Sequence, residues 1–143
     1  MSMEVDLIVR RKNRKVVTVT PSTTMVDAAK VLAENRIGLL MVVGDEGKFV
    51  GVLSERDIVK AVAGGADLIH GMTVDEIAVK KVVACRPQTT VSDVFRTMST
   101  RGFRHMPVIH EGKVVGVVSL TDVLLSMAQE PGAYQEAMQE AAT

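Results

Sequence analysis

Tryptophan is absent from the 143 residues, and the aromatic total of one Tyr and three Phe is 3%. A core built from this chain therefore has to be filled by aliphatic side chains and nine Met, and nucleic-acid recognition by base stacking has little to work with. One cysteine, Cys85, excludes an internal disulfide framework and fits a reducing compartment. Charge of one sign is also missing. Lys+Arg and Asp+Glu stand at 17 each, so no global field recruits nucleic acid or an anionic membrane. The longest apolar run, Ile37 to Val43, is far below the ~20 residues a membrane span needs. The opening Met-Ser-Met-Glu-Val-Asp lacks the basic-then-apolar layout of a signal peptide. The expectation is a soluble cytoplasmic protein with no membrane partner. Hydrophobic content of 47% supports a substantial core.

What is present is a duplication. Gly51-Val52-Leu53-Ser54-Glu55-Arg56-Asp57 returns 65 positions later as Gly116-Val117-Val118-Ser119-Leu120-Thr121-Asp122. Glu46-Gly47-Lys48 matches Glu111-Gly112-Lys113 at the same offset, while upstream the offset is 66: Pro21, Thr23, Thr24, Asp27 and Val42 fall on Pro87, Thr89, Thr90, Asp93 and Val108. The slip lies between Val43 and Glu46, where Gly44-Asp45 reads as a turn that tolerates insertion. Repeats this short bury too little to be stable alone, so the halves are expected to share a core.

Each repeat reads as β-α-β-β-α. Val16 to Val19 is a strand closed by Pro21; a helix follows, capped by Thr24 with Asp27 three residues on. Leu39 to Val43 and Phe49 to Leu53 form a hairpin across Asp45-Glu46-Gly47-Lys48, and Asp57 to Val62 opens the next helix. The second repeat gives Val82 to Cys85, a helix from Thr90 to about Arg101, Met106 to Ile109, Val114 to Val118, and Asp122 to Ala128. The expected organisation is repeat one over 16–63, a connector over 64–81 with a capped turn at Thr73–Glu76, and repeat two over 82–128. A basic arm over 1–15 and a helical tail over 129–143 flank them, the tail lining Tyr134, Ala137, Met138 and Ala141 on one face. In the arm, Arg10-Arg11-Lys12-Asn13-Arg14-Lys15 sets five cations in six residues. Such a run can grip phosphates, but a solvated face or a mobile arm is the reading adopted.

The repeated Gly-x-x-Ser-x-x-Asp joins a strand to a helix start, where free amide N–H groups and the positive end of the helix dipole favour an anion. Ser54 and Ser119 add hydroxyls there, and Asp57 and Asp122 can accept hydrogen bonds from a diol such as ribose. The same spacing is also a capping box, like Thr24/Asp27, Thr73/Glu76 and Thr90/Asp93. Local spacing leaves both readings open.

The duplicated β-α-β-β-α unit, ending each time in Gly, two apolar residues, Ser-x-x-Asp, resembles a tandem pair of CBS domains, the Bateman module. Arg104-His105-Met106-Pro107-Val108 is similar to the strand that precedes the hairpin in that family, and the likeness covers about residues 16–128. The resemblance implies an α/β (α+β) fold with two repeats packed sheet to sheet about a pseudo-twofold axis. It implies clefts between them for adenosine-containing ligands (AMP, ADP, ATP or S-adenosylmethionine), and a module that often dimerises. Transferred residue by residue, Asp57 and Asp122 would hold ribose, and Ser54 and Ser119 phosphate. Gly38, Leu39 and Leu40 in one cleft, and Arg104, His105, Met106 and Pro107 in the other, would frame the base. Thr18 and Ala84 would face the ligand, with Arg36, Arg56, Arg101 and Arg104 as candidate phosphate cations. Two departures matter: Met41 stands where the second repeat has Pro107, and Thr121 replaces Arg56, so the two sites are expected to be unequal.

No other chemistry finds support. His105 and His110 are an odd number of residues apart on a strand, which sends them to opposite faces, and with Cys85 they make no zinc spacing. No nucleophile–base–orienter set is visible. The expected function is a non-catalytic, regulatory adenine-nucleotide sensor, a homodimer by analogy, that signals to a separate effector protein and requires no cofactor. The alternatives are an interaction scaffold with empty clefts, or nucleic-acid binding through the basic arm, which the neutral charge disfavours.

Overall fold

A computed structural model of the chain describes residues 3–129; the expected tail helix, with Tyr134 to Ala141, lies outside the described residues. The chain divides into two compact units. One is Val16–Val82, and the other joins residues 3–15 to 83–129 among those described.

In the Val16–Val82 unit, β1 (Thr18–Val19) leads to α2 (Met25–Asn35), β2 (Leu39–Val43), β3 (Phe49–Ser54) and α3 (Glu55–Ala63). The helix preceding them in the chain, α1 (Val5–Lys12), belongs to the other unit. Strand β1 pairs parallel with β2, the crossover being made by α2, and β2 pairs antiparallel with β3, giving the order β1-β2-β3. Helix α2 starts where expected because Thr24 accepts the Asp27 N–H at 3.1 Å. A 3-10 turn (Ala66–Gly71) and a short helix, α4 (Val74–Ile77), complete the unit. Its buried side chains, among them Met25, Leu32, Leu40, Val42, Leu53 and Val74, form one cluster.

The other unit repeats the plan with α5 (Val91–Arg101), β4 (His105–His110), β5 (Lys113–Ser119) and α6 (Leu120–Gln129). Its own cluster includes Val5, Ile8, Val94, Met98, Met106, Val108, Val118 and Val123. Each unit thus has its own core, where the sequence suggested one shared by the halves. The reason is that each repeat is enlarged by a segment outside it.

That segment is the same in both units. Val74 donates its N–H to Thr23 O at 2.8 Å, Asp75 to Pro21 O at 3.0 Å, and Met25 to Met72 O at 3.0 Å. In the other unit Val5 donates to Thr89 O at 2.8 Å, Asp6 to Pro87 O at 2.9 Å, and Val91 to Met3 O at 2.8 Å. The matching sequences are Met72-Thr73-Val74-Asp75 and Met3-Glu4-Val5-Asp6. The apolar residues ahead of the basic run are therefore part of a docked helix, with Val5 0% and Ile8 3% exposed, while Arg10, Arg11, Arg14 and Lys15 of the run itself form the solvated face expected of them. Val5, Ile8, Val9 and Lys12 lie at i, i+3, i+4, i+7, one helical face. Arg10, by contrast, is exposed and pairs with Asp6 one turn back at 2.7 Å.

Two local differences between the units have physical causes. The hairpin β4–β5 closes through Glu111 and Gly112, with φ of 51° and 78°, as a two-residue turn needs. The first hairpin carries one residue more and turns through a 3-10 segment, Asp45–Gly47, which is where the offset slips. The strand expected over Val82 to Cys85 shrinks to a bridge between Cys85 and Val108. Met41 donates its N–H to Val17 O at 3.4 Å; Pro107 at the matching place has no N–H to give. Cys85, one of the two bridge residues, is buried, and burial raises its thiol pKa to about 11, against a smaller lowering by a backbone hydrogen bond.

The repeated glycines are set by close approach. A Cβ on Gly51 would collide with Val79 O, and one on Gly116 would stand 2.8 Å from a Val9 methyl. Backbone cannot yield as a side chain can, so Gly51→Ala is expected to cost about 3 kcal/mol and Gly116→Ala about 1–2 kcal/mol in urea unfolding. Val9→Ala combined with Gly116→Ala should lose less than the sum of the two single losses. Strictly additive losses would show that Val9 is not what keeps position 116 a glycine.

Candidate functional site

Both strand-to-helix junctions form capping boxes. Ser54 N–H donates to Asp57 Oδ2 at 2.9 Å, and Asp57 N–H donates to Ser54 Oγ at 3.1 Å. Ser119 N–H donates to Asp122 Oδ2 at 2.8 Å, and Asp122 N–H to Ser119 Oγ at 3.0 Å. The structural reading of Ser-x-x-Asp is thus realised twice, and it leaves chemistry over. Each serine has accepted an amide and still has its own O–H to donate, and each carboxylate still has an Oδ1.

The hairpins bring further candidates to these junctions. Gly38 O accepts the Glu55 N–H at 2.9 Å and Leu39 stands opposite Ser54, so Gly38, Leu39, Ser54, Arg56 and Asp57 gather at one end of the β2–β3 hairpin. Thr18, exposed, stands opposite Met41 farther along. In the other unit Arg104 O accepts the Leu120 N–H at 2.7 Å and His105 stands opposite Ser119. Arg104, His105, Ser119, Thr121 and Asp122 therefore meet at the matching end, and Ala84, exposed, lies next to Cys85. Leu40 and Met106 are core residues at 0% and 2% exposure. Pro107 is also buried, and its carbonyl accepts the Cys85 N–H at 2.9 Å. Of the candidate cations, Arg36 and Arg101 lie at the ends of α2 and α5, Arg36 as a left-handed cap with φ 54°. Arg36, Arg56, Arg101 and Arg104 are all exposed.

The electrostatics separate the junctions. Lys12 Nζ lies 2.8 Å from Asp122 Oδ2 and donates to Val117 O at 3.1 Å. The pair is partly buried, with side chains 31% and 19% exposed. Burial pushes the Asp122 pKa up, but the hydrogen bonds from Lys12 and Ser119 outweigh it and hold the carboxyl below its ordinary value. The His105 pKa is lowered, first by what burial its ring has and then by Lys12 and Arg104, with Asp122 opposing. Asp57 has no cation within ion-pair distance among the described residues. In the sequence Lys12 stands only as one charge in a basic run. Its place on the apolar stripe Val5-Ile8-Val9 was the signal available. Among the described residues no group of three His, Cys, Asp or Glu could hold a metal ion, and no helix is long and apolar enough to cross a membrane.

Comparison with known proteins names the fold. The family model described as CBS domain matches residues 8–64 and 74–129, and the chain belongs to the CBS domain family. The fold is that of CBS-domain pairs, with mixed α and β structure and two CBS repeats. A CBS-domain containing protein of Agrobacterium tumefaciens is 35% identical, with a TM-score of 0.78 over 87% of this chain and 98% of that one. The CBS domain pair of MJ0100, solved with 5′-methylthioadenosine and S-adenosyl-L-methionine, is 26% identical, with a TM-score of 0.78 over 91% of this chain and 99% of that one. CBSX2, solved with AMP, is 26% identical with a TM-score of 0.73 over 89% and 97% of the two chains. An uncharacterised protein of Acidianus ambivalens is 38% identical over 110 residues, 76% of this chain and 65% of that protein. The chain thus spans just under two thirds of that relative's length.

The lowered carboxyl of Asp122 fixes the sign of a pH effect. Its contribution to stability is whole above the ordinary carboxylate range and is lost as the pH falls through the lowered folded value. Parent and Asp122→Asn should therefore differ most in urea midpoint at neutral pH and converge as the pH falls below the ordinary carboxylate range, through the lowered value of the folded state. A difference that stays constant across that range would show that the charge on Asp122 contributes nothing.

Proposed function

We propose that the chain is a regulatory module that binds an adenosine-containing ligand reversibly and without turnover, and passes the result to a separate effector protein. The observation that carries the reading is the pair of strand-to-helix junctions. Each presents a serine hydroxyl with a proton to donate, helix-start amides, and an aspartate with a free oxygen. Those groups match a phosphate and a ribose diol. Support comes from the family, in which the CBS pairs of MJ0100 and CBSX2 hold S-adenosylmethionine and AMP. Under this reading Asp57 and Asp122 take ribose hydroxyls, and Ser54 and Ser119 take phosphate or carboxylate. Gly38, Leu39, Arg104 and His105 stand near the base, and Thr18, Ala84, Arg56 and Thr121 line the approaches. Leu40, Met106 and Pro107 support from behind through the core.

The working form under this proposal is a cytoplasmic homodimer. Its support is an apolar exposure repeated in both units: Val59 at 65% and Val62 at 43% on α3, and Leu124 at 41% and Leu125 at 59% on α6. Nucleic-acid binding by the basic run is disfavoured, because Arg10, Arg11 and Lys12 are engaged by Asp6, Gln129 and Asp122.

Calorimetric titration of nucleotide-stripped protein with AMP, ADP, ATP and S-adenosylmethionine tests the reading. Saturable binding of at least one of them is expected, with a loss of at least about tenfold in affinity on Asp57→Ala, since a hydrogen bond to a charged group contributes about 1.5–3 kcal/mol. Flat traces with all four ligands would overturn it.

A further inference from the structure

The two capping carboxylates are alike in sequence and unlike in occupancy. Asp57 Oδ2 accepts one hydrogen bond, from the Ser54 N–H. Asp122 Oδ2 accepts two, from the Ser119 N–H and from Lys12 Nζ, both at 2.8 Å. An oxygen of a carboxylate has about two lone pairs, so Oδ2 of Asp122 is full while Oδ2 of Asp57 has one to spare. A ribose diol donates two hydroxyls, and its bidentate grip on a carboxylate uses both oxygens. Asp57 can accept it as it stands. Asp122 has only Oδ1 to offer.

The ammonium is held there by more than one contact. It donates also to Val117 O at 3.1 Å, and Lys12 stands in the last turn of α1, where a cation suits the helix dipole. Helix α1 is itself pinned by Val5 and Ile8 in the core. The position of Val117 matches that of Val52 in the other unit, and there the carbonyl is satisfied by backbone: Val79 N–H donates to Val52 O at 2.9 Å. The docking segments are related in their first four residues and then part. After α4 the chain straightens and pairs through Val79, whereas α1 continues to Lys12 and meets the strand with a side chain. Only the helical version delivers a cation to the capping aspartate.

We infer that Lys12 is an intramolecular latch on Asp122: its ammonium fills the acceptor that a ribose diol requires, so the Ser54–Asp57 junction takes an adenosine-containing ligand first and the Ser119–Asp122 junction takes one only when Lys12 lets go. The inference rests on the adenosine-binding reading above and adds an order of filling to it. Release requires no movement of α1, because the four-carbon stem of Lys12 can swing the ammonium into solvent, to which its side chain is already 31% exposed.

Calorimetric titration with AMP and with S-adenosylmethionine tests the latch in four chains: the parent, Lys12→Met, Asp57→Ala, and Asp57→Ala combined with Lys12→Met. Lys12→Ala serves beside Lys12→Met in case the bulkier side chain disturbs the helix, since Ala suits a helical position, and circular dichroism checks the fold of each. The parent is expected to bind one ligand tightly per chain and Asp57→Ala to lose it. The Lys12 variants should raise the affinity of a second site by about tenfold or more, the effect of freeing a carboxylate from a charge-assisted hydrogen bond. The double variant should regain one site. Two equal sites in the parent, or parent binding with no second-site gain in folded Lys12→Met and Lys12→Ala, would overturn the latch and leave the adenosine-binding reading standing. Silence of all four folded chains toward both ligands would overturn both.

Discussion

Three backbone hydrogen bonds, made twice, are the constraint on which each unit depends. A Met-x-Val-Asp segment lays its amides on the carbonyls of Pro-x-Thr, just ahead of a helix, and receives that helix's first N–H in return. The exchange satisfies donors at two helix starts, which otherwise have no partner within their own helices. It also buries a valine, Val74 or Val5, at 0% exposure. A repeat of this size is marginal alone, and the docked segment brings the extra apolar surface. Because the segment comes from before the repeat in one unit and after it in the other, chain order and spatial order part company.

The same docking decides what happens at the far edge of each hairpin. An edge strand has carbonyls and amides that need partners. One unit answers with backbone, Val79 on Val52, and requires a glycine beside it so that the chains can approach. The other answers with a helix, so a valine side chain lies over Gly116 and an ammonium meets Val117 O. The second solution carries a charge to Asp122, and that charge makes two aspartates with the same cap unequal. Thr121 in place of Arg56 had suggested inequality from the sequence; Lys12 supplies it through a contact with no sequence counterpart.

Local chemistry was legible. The hairpin strand Leu39–Val43 falls where a short unbroken apolar run and the turn residues after it place it. The caps Thr24, Ser54 and Thr90 each hold an amide three residues on, Thr73 donates its own N–H to Glu76 Oε2, and the insertion sits in the turn that the change of offset marks. The candidate residues Gly38, Ser54 and Asp57, and their partners Arg104, Ser119 and Asp122, converge because a strand, its hairpin and the following helix carry them over short separations. The missing strand near Cys85 was legible in part. Pro107 announces the loss of an N–H, but the loss matters only once β4 is known to lie beside Cys85.

The sequence by itself determined the repeats, their helices and hairpins and the capped junctions, since these depend on residues three or four apart or on short apolar runs bounded by turn residues. Tertiary structure alone decided that the helix Val5–Lys12 docks on the second repeat through Val5 and Ile8, that the cores are separate, and that Lys12 meets Asp122. That last pair is 110 residues apart in the chain, and no local period or propensity encodes a contact of that range. It arises from the docking of one short segment, whose Met-x-Val-Asp signature is too brief to be distinguished from chance until its hydrogen bonds are seen.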